Sequence, residues 1–119
     1  MKDEERRNIE SMVRYWTSER DRGRDTAEVA ENLAAGLTLL GRLDEAEQEM
    51  ERLFARGAQD EQAYLVMGQV KGFLGKADEA IGYYEDFLAL PGKRDGKDKK
   101  QATQNIWLLK RHGRLELRT

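Results

Sequence analysis

Apolar residues recur at intervals of three and four along most of the chain, which is the spacing that places them on one face of an α-helix. One stripe contains Val29, Leu33 and Leu37 and ends at Gly41, and a second stripe lies between Gly41 and Gly57. Glycine at the end of a helix adopts positive φ without a steric penalty. The pattern therefore predicts a helical hairpin that turns at Gly41.

The same arrangement repeats 34 residues later, with Gly75 at the turn. Residues 40–46 (LGRLDEA) and 74–80 (LGKADEA) are identical at five of seven positions. The offset also pairs residues of similar size, namely Ala34 with Gly68 and Met50 with Tyr84. Small residues at such positions let two helices approach closely. We therefore expect a second hairpin of the same kind, with close helix packing at Ala34 and at Gly68.

Amphipathic segments flank the two hairpins. Residues 4–22 and 99–114 each carry apolar residues at helical spacing, and both are predicted to be capping helices. The second of them looks like the first helix of an incomplete third hairpin, and Trp107 is expected to be a core residue within it. The charged stretch 92–100, which precedes this helix, is predicted to be a loop.

The two units in register resemble the tetratricopeptide repeat family. The repeat length of 34 matches, and the second unit follows the order of the motif with Tyr64, Met67, Gly68, Gly75, Ala80, Tyr84 and Pro91. Lys71 departs from the motif, because an aromatic residue is usual at that position. The resemblance implies an all-α protein, an alpha-alpha superhelix with two full helical hairpins and two capping helices. It implies a single domain over 1–119, with repeats at 27–60 and 61–94.

In tetratricopeptide arrays the first helices of successive hairpins line a concave groove that binds a peptide or a protein segment. The resemblance implies that the corresponding positions here are Glu28, Glu31, Asn32, Ala35, Thr38, Leu39, Gln62, Leu65, Val66, Gln69, Gly72 and Phe73. The side-chain amides of Asn32 and Gln69 are expected to form hydrogen bonds with the backbone of a bound peptide. Glu28 and Glu31 are expected to favour a peptide with basic residues. Whether a partner or the C-terminal helix of the same chain covers Leu65, Val66 and Phe73 is left open by the sequence.

The function implied by this resemblance is that of an adaptor, a scaffold or a small chaperone whose partner is another protein or peptide. Chaperone-binding arrays hold a C-terminal carboxylate with basic residues, and the matching positions here are Glu31, Ala35, Val66 and Gln69. An acidic C-terminal tail is therefore not the expected ligand. Self-association through the incomplete third repeat is a further option, because a truncated array leaves a helix face unpaired.

Charge is distributed unevenly along the chain. The net charge is −2, but residues 25–92 carry −9 and residues 93–119 carry +6. The basic segment 93–118, with Trp107 among its lysines and arginines, makes nucleic-acid binding the alternative function. We expect nucleic acid not to be a partner, because a core position for Trp107 and the acidic centre of the chain both disfavour it.

Few residues could carry catalysis. The chain has one histidine, His112, and no cysteine, and it contains none of the common nucleotide-binding or hydrolase motifs. Glu45 and Glu49 lie one helical turn apart, as do Glu47 and Glu51, but without a nearby histidine these pairs are interpreted as a solvated acidic face. We therefore expect no enzyme activity, no cofactor and no metal. Because no apolar run reaches membrane-spanning length and no apolar leader opens the chain, a cytoplasmic protein without membrane contact is expected.

Overall fold

The computed structural model describes residues 1–57, 60–91 and 96–116. Within these ranges the regular structure is entirely α-helical, which confirms the predicted all-α class. The helices are α1 (Asp3–Asp21), α2 (Ala27–Leu39), α3 (Leu43–Ala55), α4 (Glu61–Phe73), α5 (Ala77–Ala89) and α6 (Gly96–His112). By its internal contacts the chain divides into two compact units, of which unit 1 contains α1 to α3 and unit 2 contains α4 to α6.

The first helix of each hairpin begins and ends with the same local chemistry. The side chains of Thr26 and Asp60 accept hydrogen bonds from backbone N–H groups three residues later, at 3.3 and 2.7 Å, which satisfies donors that a helix start leaves unpaired. Gly41 and Gly75 follow the ends of these helices with φ of +77° and +78°. The two predicted glycine turns are therefore confirmed, and each hairpin is set by short-range sequence signals.

Unit 1 is a three-helix arrangement in which α1 packs on α2, and α2 on α3. α1 approaches α2 closely at Gly36, where an added Cβ would lie 2.8 Å from Cγ2 of Val13. Val13 is buried, and Met50 and Leu53 of α3 are fully buried as well. The predicted N-terminal capping helix is thus present, one residue earlier at each end than its pattern suggested.

In unit 2, α5 packs on both α4 and α6. Its core contains Ala80, Tyr84, Phe87, Ala102, Leu109 and Leu115, so the end of the chain contributes to the same cluster as the hairpin. The hydroxyl of Tyr84 accepts a hydrogen bond from Nδ2 of Asn105 at 3.0 Å. This bond and the burial of Ala102 and Leu109 fix which side of α6 faces the hairpin.

Two expectations about the C-terminal region are wrong. Lys97 belongs to α6, which begins at Gly96, whereas it was expected in a loop. Lys99 and Lys100, where the predicted loop and the predicted helix overlap, are helical; residues 92–95 of that stretch lie outside the described residues. Trp107 is 56% exposed and is not a core residue. Its position follows from helical phase, because it comes directly after Ile106, on the inner side of α6, and so points about 100° away from that residue.

Candidate interaction surfaces

One face of α2 remains accessible in unit 1. We define the α2 face as Glu28, Asn32, Ala35 and Leu39, which recur at helical spacing. Glu28 and Leu39 are exposed, Leu39 by 44%, and the other two are half-buried. The side-chain amide of Asn32 donates to the backbone oxygen of Glu28 at 2.9 Å, which orients the amide along the helix. The face therefore carries a carboxylate, an amide and an apolar side chain in one row.

Two other predicted groove residues of α2, Glu31 and Thr38, are more buried than the residues of the α2 face. Glu31 is 8% exposed and Thr38 is 2% exposed. The hydroxyl of Thr38 donates to the backbone oxygen of Ala34 at 2.7 Å, so its hydrogen bond is made within the helix. A partner on the outer surface of α2 would meet the α2 face, and it would meet little of Glu31 or Thr38.

The predicted residues of α4 divide in the same way. Gln62 and Gln69 are exposed, whereas Val66 is only 4% exposed. Leu65 and Phe73 are half-buried, and both pack against the core cluster of unit 2. The accessible chemistry of α4 is therefore amide hydrogen bonding, and its two large apolar residues already contribute to the unit's own core.

The C-terminal segment covers one end of α4. The backbone N–H of Leu115 donates to the backbone oxygen of Gly72 at 2.9 Å. The side chain of Leu115 fills the space above this glycine, because an added Cβ would lie 2.6 Å from its Cδ1. At the Gly72 end of α4, the surface is therefore covered by Leu115, from the segment that follows α6.

Two carboxylates of α3, those of Glu45 and Glu49, are bound by arginines. Glu45 accepts two hydrogen bonds from the guanidinium of Arg42, at 2.6 and 2.8 Å. Glu49, with a side chain only 10% exposed, forms ion pairs with Arg20 of α1 and Arg52 of α3. In the part of the chain that the structure describes, no cluster of three or more acidic or histidine side chains could hold a metal ion.

Arg52 also binds Asp25, which lies in the turn between α1 and α2. The two N–H···O distances are 2.5 and 3.0 Å, and Arg56 adds an ion pair with Asp25 at 2.8 Å. The hydrogen bonds from Arg52 hold the pKa of Asp25 below its ordinary value, and Arg56 and Arg20 lower that pKa further. The network joins α1, α3 and the turn that leads into α2.

The outer side of α6 forms a shallow depression lined by Lys99, Lys100, Thr103, Gln104 and Trp107. We call these residues, together with Arg111, the α6 face. The guanidinium carbon of Arg111 lies 5.2 Å from the centroid of the Trp107 ring, within cation–π range. Sequence reasoning named the basic segment around Trp107 as an alternative site for nucleic acid, but it expected Trp107 in the core and so did not place the ring on the outer side of α6.

His112 is exposed at the end of α6, in the last turn of the helix. Lys110 and Arg111 lie in the same turn, where the helix dipole favours positive charge. Lys71 is buried, and its Nζ lies 3.2 Å from Oε1 of Glu79 on α5. The sequence marked Lys71 only as a departure from the repeat motif; the structure shows an ion pair that joins the two helices of the hairpin.

The chain matches no family model, and no curated protein and no solved structure matches it. The tetratricopeptide assignment therefore stays a prediction made from the residues. None of the helices formed by the described residues is long and apolar enough to span a bilayer.

Proposed function

We propose that this chain is a protein-interaction module of the tetratricopeptide type, acting as an adaptor, a scaffold or a small chaperone. Its ligand is a peptide or an extended protein segment. The observation that carries the proposal is the exposure of Leu39, 44%, at the end of a row of accessible side chains on α2. Burial of this side chain against an apolar group of a partner would favour association.

The composition of the α2 face suggests the chemistry of the ligand. Leu39 offers apolar contact at one end, and the carboxylate of Glu28 lies at the other end in the first turn of the helix. Residues 1–57 of unit 1 carry fourteen acidic and ten basic side chains, a net charge of −4, so the long-range field around this surface attracts cations. A segment with one apolar side chain and basic residues on its N- or C-terminal side would complement the face.

On unit 2 the proposed contacts are the side-chain amides of Gln62 and Gln69. Both residues are exposed on α4 and are separated by two helical turns. An amide can donate to and accept from an extended backbone at the same time, which fixes register without demanding a particular side chain. Leu65 and Phe73 support this surface from below, because they pack against the core of the unit.

A peptide-library selection on the intact chain tests the proposal. Peptides that bind should be enriched in basic residues around an apolar position, and their affinity should fall about tenfold in Leu39→Ser, as expected for the loss of one buried leucine contact. Met12→Ser is the matched control, because Met12 is 48% exposed on α1 of the same unit and lies outside the α2 face.

Glu28→Gln should weaken the same peptides and reduce the dependence of their affinity on salt, because it removes the carboxylate that attracts basic residues. Far-ultraviolet circular dichroism should show that each variant is folded. If no peptide is selected, or if Leu39→Ser and Met12→Ser bind the selected peptides equally well, the α2 face is not the binding surface.

A further inference from the structure

The α6 face is held toward solvent by contacts on the opposite side of the helix. Ala102 and Leu109 are 0% and 1% exposed, and Asn105 donates to the hydroxyl of Tyr84. These inner contacts fix the rotation of α6 about its axis. Trp107 and the residues around it are thus presented outward by packing, and their exposure is not the result of a frayed helix end.

Trp107 is isolated from other apolar side chains. Among the described residues of unit 2 it is the large hydrophobic residue that is exposed, and its neighbours in the depression are lysines, a threonine and a glutamine. A protein-binding hot spot normally joins an aromatic ring with further apolar side chains at the centre of the interface. Among the residues that the structure describes, no other apolar residue lines the depression around Trp107, and two of the lining residues are lysines.

Cations lie on both sides of the ring along the helix. Lys99 and Lys100 precede Trp107 by two turns, about 11 Å along the axis, and Arg111 follows it by one turn and lies over the ring. Residues 96–116 carry six basic and two acidic side chains. A planar group that stacks on Trp107 would therefore have positive charge within reach in both directions of the helix axis.

We propose that the α6 face binds single-stranded nucleic acid, an activity beyond peptide binding by the α2 face. One base stacks on the face of the Trp107 ring that Arg111 does not cover, while Lys99, Lys100 and Arg111 contact backbone phosphates before and after that base. Thr103 and Gln104 lie between the ring and the lysines. The Thr103 hydroxyl donates to the backbone oxygen of Lys99 at 2.9 Å and accepts a hydrogen bond from the base or the sugar, and the Gln104 amide donates or accepts one. Stacking accepts every base, so binding is expected to show little sequence preference.

Binding to a labelled single-stranded oligonucleotide of about 15 nucleotides, within the known range of site sizes for such proteins, tests the proposal. Fluorescence anisotropy should show binding at low salt, and Trp107→Ala should weaken it by about 5- to 150-fold, the range reported for the loss of one stacked base. Trp107 is the single tryptophan left in Trp16→Phe, so its fluorescence should be quenched when the oligonucleotide binds to that variant.

The phosphate contacts have their own measurement. Replacing Lys99 and Lys100 together by Gln should reduce the slope of log affinity against log salt by about 1.4, because each single-strand phosphate contact contributes about 0.7. Replacing Lys2 and Arg7 together by Gln is the matched control, since it removes the same charge from exposed positions on unit 1 and should leave the slope unchanged.

Three results would overturn the proposal. The first is the absence of binding at low salt. The second is binding that Trp107→Ala and the unit 1 control weaken equally, which indicates a general attraction of polyanions. The third is competition in which an acidic peptide without aromatic residues displaces the oligonucleotide at equal charge concentration and depends equally on Trp107, because the face would then serve a protein ligand.

Discussion

Gly68 of α4 lies against the ring of Tyr84 on α5, so closely that a Cβ added to the glycine would be 2.9 Å from two atoms of that ring. Tyr84 is 2% exposed and belongs to the core of unit 2. The missing side chain at position 68 thus makes room for a large aromatic side chain from the second helix. In the first hairpin the positions related by the 34-residue offset hold Ala34 and Met50. Alanine is larger than the glycine of the second hairpin, and methionine is more flexible than its tyrosine.

Gly68→Ala is expected to destabilise the protein by about 1–3 kcal/mol, because the buried ring must shift to admit the methyl group. Gly82→Ala is the control: Gly82 lies within α5, and nothing is within 4 Å of its added Cβ. That variant should be more stable by about 0.5–1 kcal/mol, since alanine favours the helix. Urea unfolding followed by circular dichroism gives both values.

Combining Gly68→Ala with Tyr84→Met, which copies the pair of the first hairpin, tests the contact itself. The double variant should be less destabilised than the sum of the single variants, because each change relieves the effect of the other. Additive free energies of unfolding would show that the steric conflict is absent.

Burial of Tyr84 gives a second prediction, at alkaline pH. Burial raises the pKa of its hydroxyl to about 12, although the hydrogen bond from Asn105 lowers it in part. The unfolded chain loses this proton at about pH 10, so between pH 10 and 12 the unfolded state binds fewer protons and stability falls as pH rises.

Tyr84→Phe should remove that component of the alkaline loss. At neutral pH the variant should be less stable by about 1 kcal/mol, because the hydrogen bond with Asn105 is gone, and the difference from the original chain should shrink above pH 10. Urea unfolding at a series of pH values, with a parallel phenolate absorbance titration, measures it. A difference that stays constant up to pH 12 would contradict the assigned pKa.

The carboxylate of Glu49 is expected to matter more than that of Glu45. The Glu49 side chain is 10% exposed and binds two arginines, whereas the Arg42–Glu45 pair is 48% and 54% exposed. Glu49→Gln should cost about 1–3 kcal/mol, because a largely buried group loses its charged partners. Glu45→Gln should cost about 0.3–0.5 kcal/mol, as for other exposed helical pairs.

Unfolding can be followed in unit 1 through the fluorescence of Trp16 in a Trp107→Phe background, which leaves Trp16 as the single tryptophan. If Glu49→Gln and Glu45→Gln lower the free energy of unfolding equally, the arginine network around Glu49 contributes no more to stability than an exposed ion pair.

Asp25 should make the stability of unit 1 depend on acid pH. Its pKa is lowered chiefly by the hydrogen bonds from Arg52, so the stabilisation is present above the unfolded value, about 3.9, and is lost as pH falls through the lower folded value. Asp25→Asn should be less stable at neutral pH, and the difference in free energy of unfolding between the variant and the original chain should narrow below about pH 4. The same substitution in an Arg52→Gln background should show a smaller change with pH; an unchanged difference at all pH values would refute the assignment.

The local elements of this fold could be read from the sequence. The spacing of apolar residues located the helices of both hairpins, and Gly41 and Gly75 marked the turns, because glycine acts there through its own backbone conformation. The caps Thr26 and Asp60 were not singled out from the sequence and were found in the structure. The N-terminal helix was located by its apolar spacing as well. The first turn of α6, which contains Lys97, was missed, since a run of polar charged residues carries no apolar periodicity by which to recognise a helix.

The candidate surfaces depended on contacts that local spacing does not specify. Asp25 and Arg52 are 27 residues apart, and Arg20 and Glu49 are 29 apart, so their ion pairs exist only once three helices have packed. Leu115 covers Gly72 for the same reason.

The sequence by itself determined the all-α class, the repeated hairpin and its glycine turns, because these follow from periodicity and from interactions within one or two helical turns. The tertiary structure decided that Trp107 faces solvent and that Leu65 and Phe73 support a core. A helix with apolar residues on more than one side can turn either side inward, and only the packing of Ala102, Asn105 and Leu109 against the rest of unit 2 selects one of them.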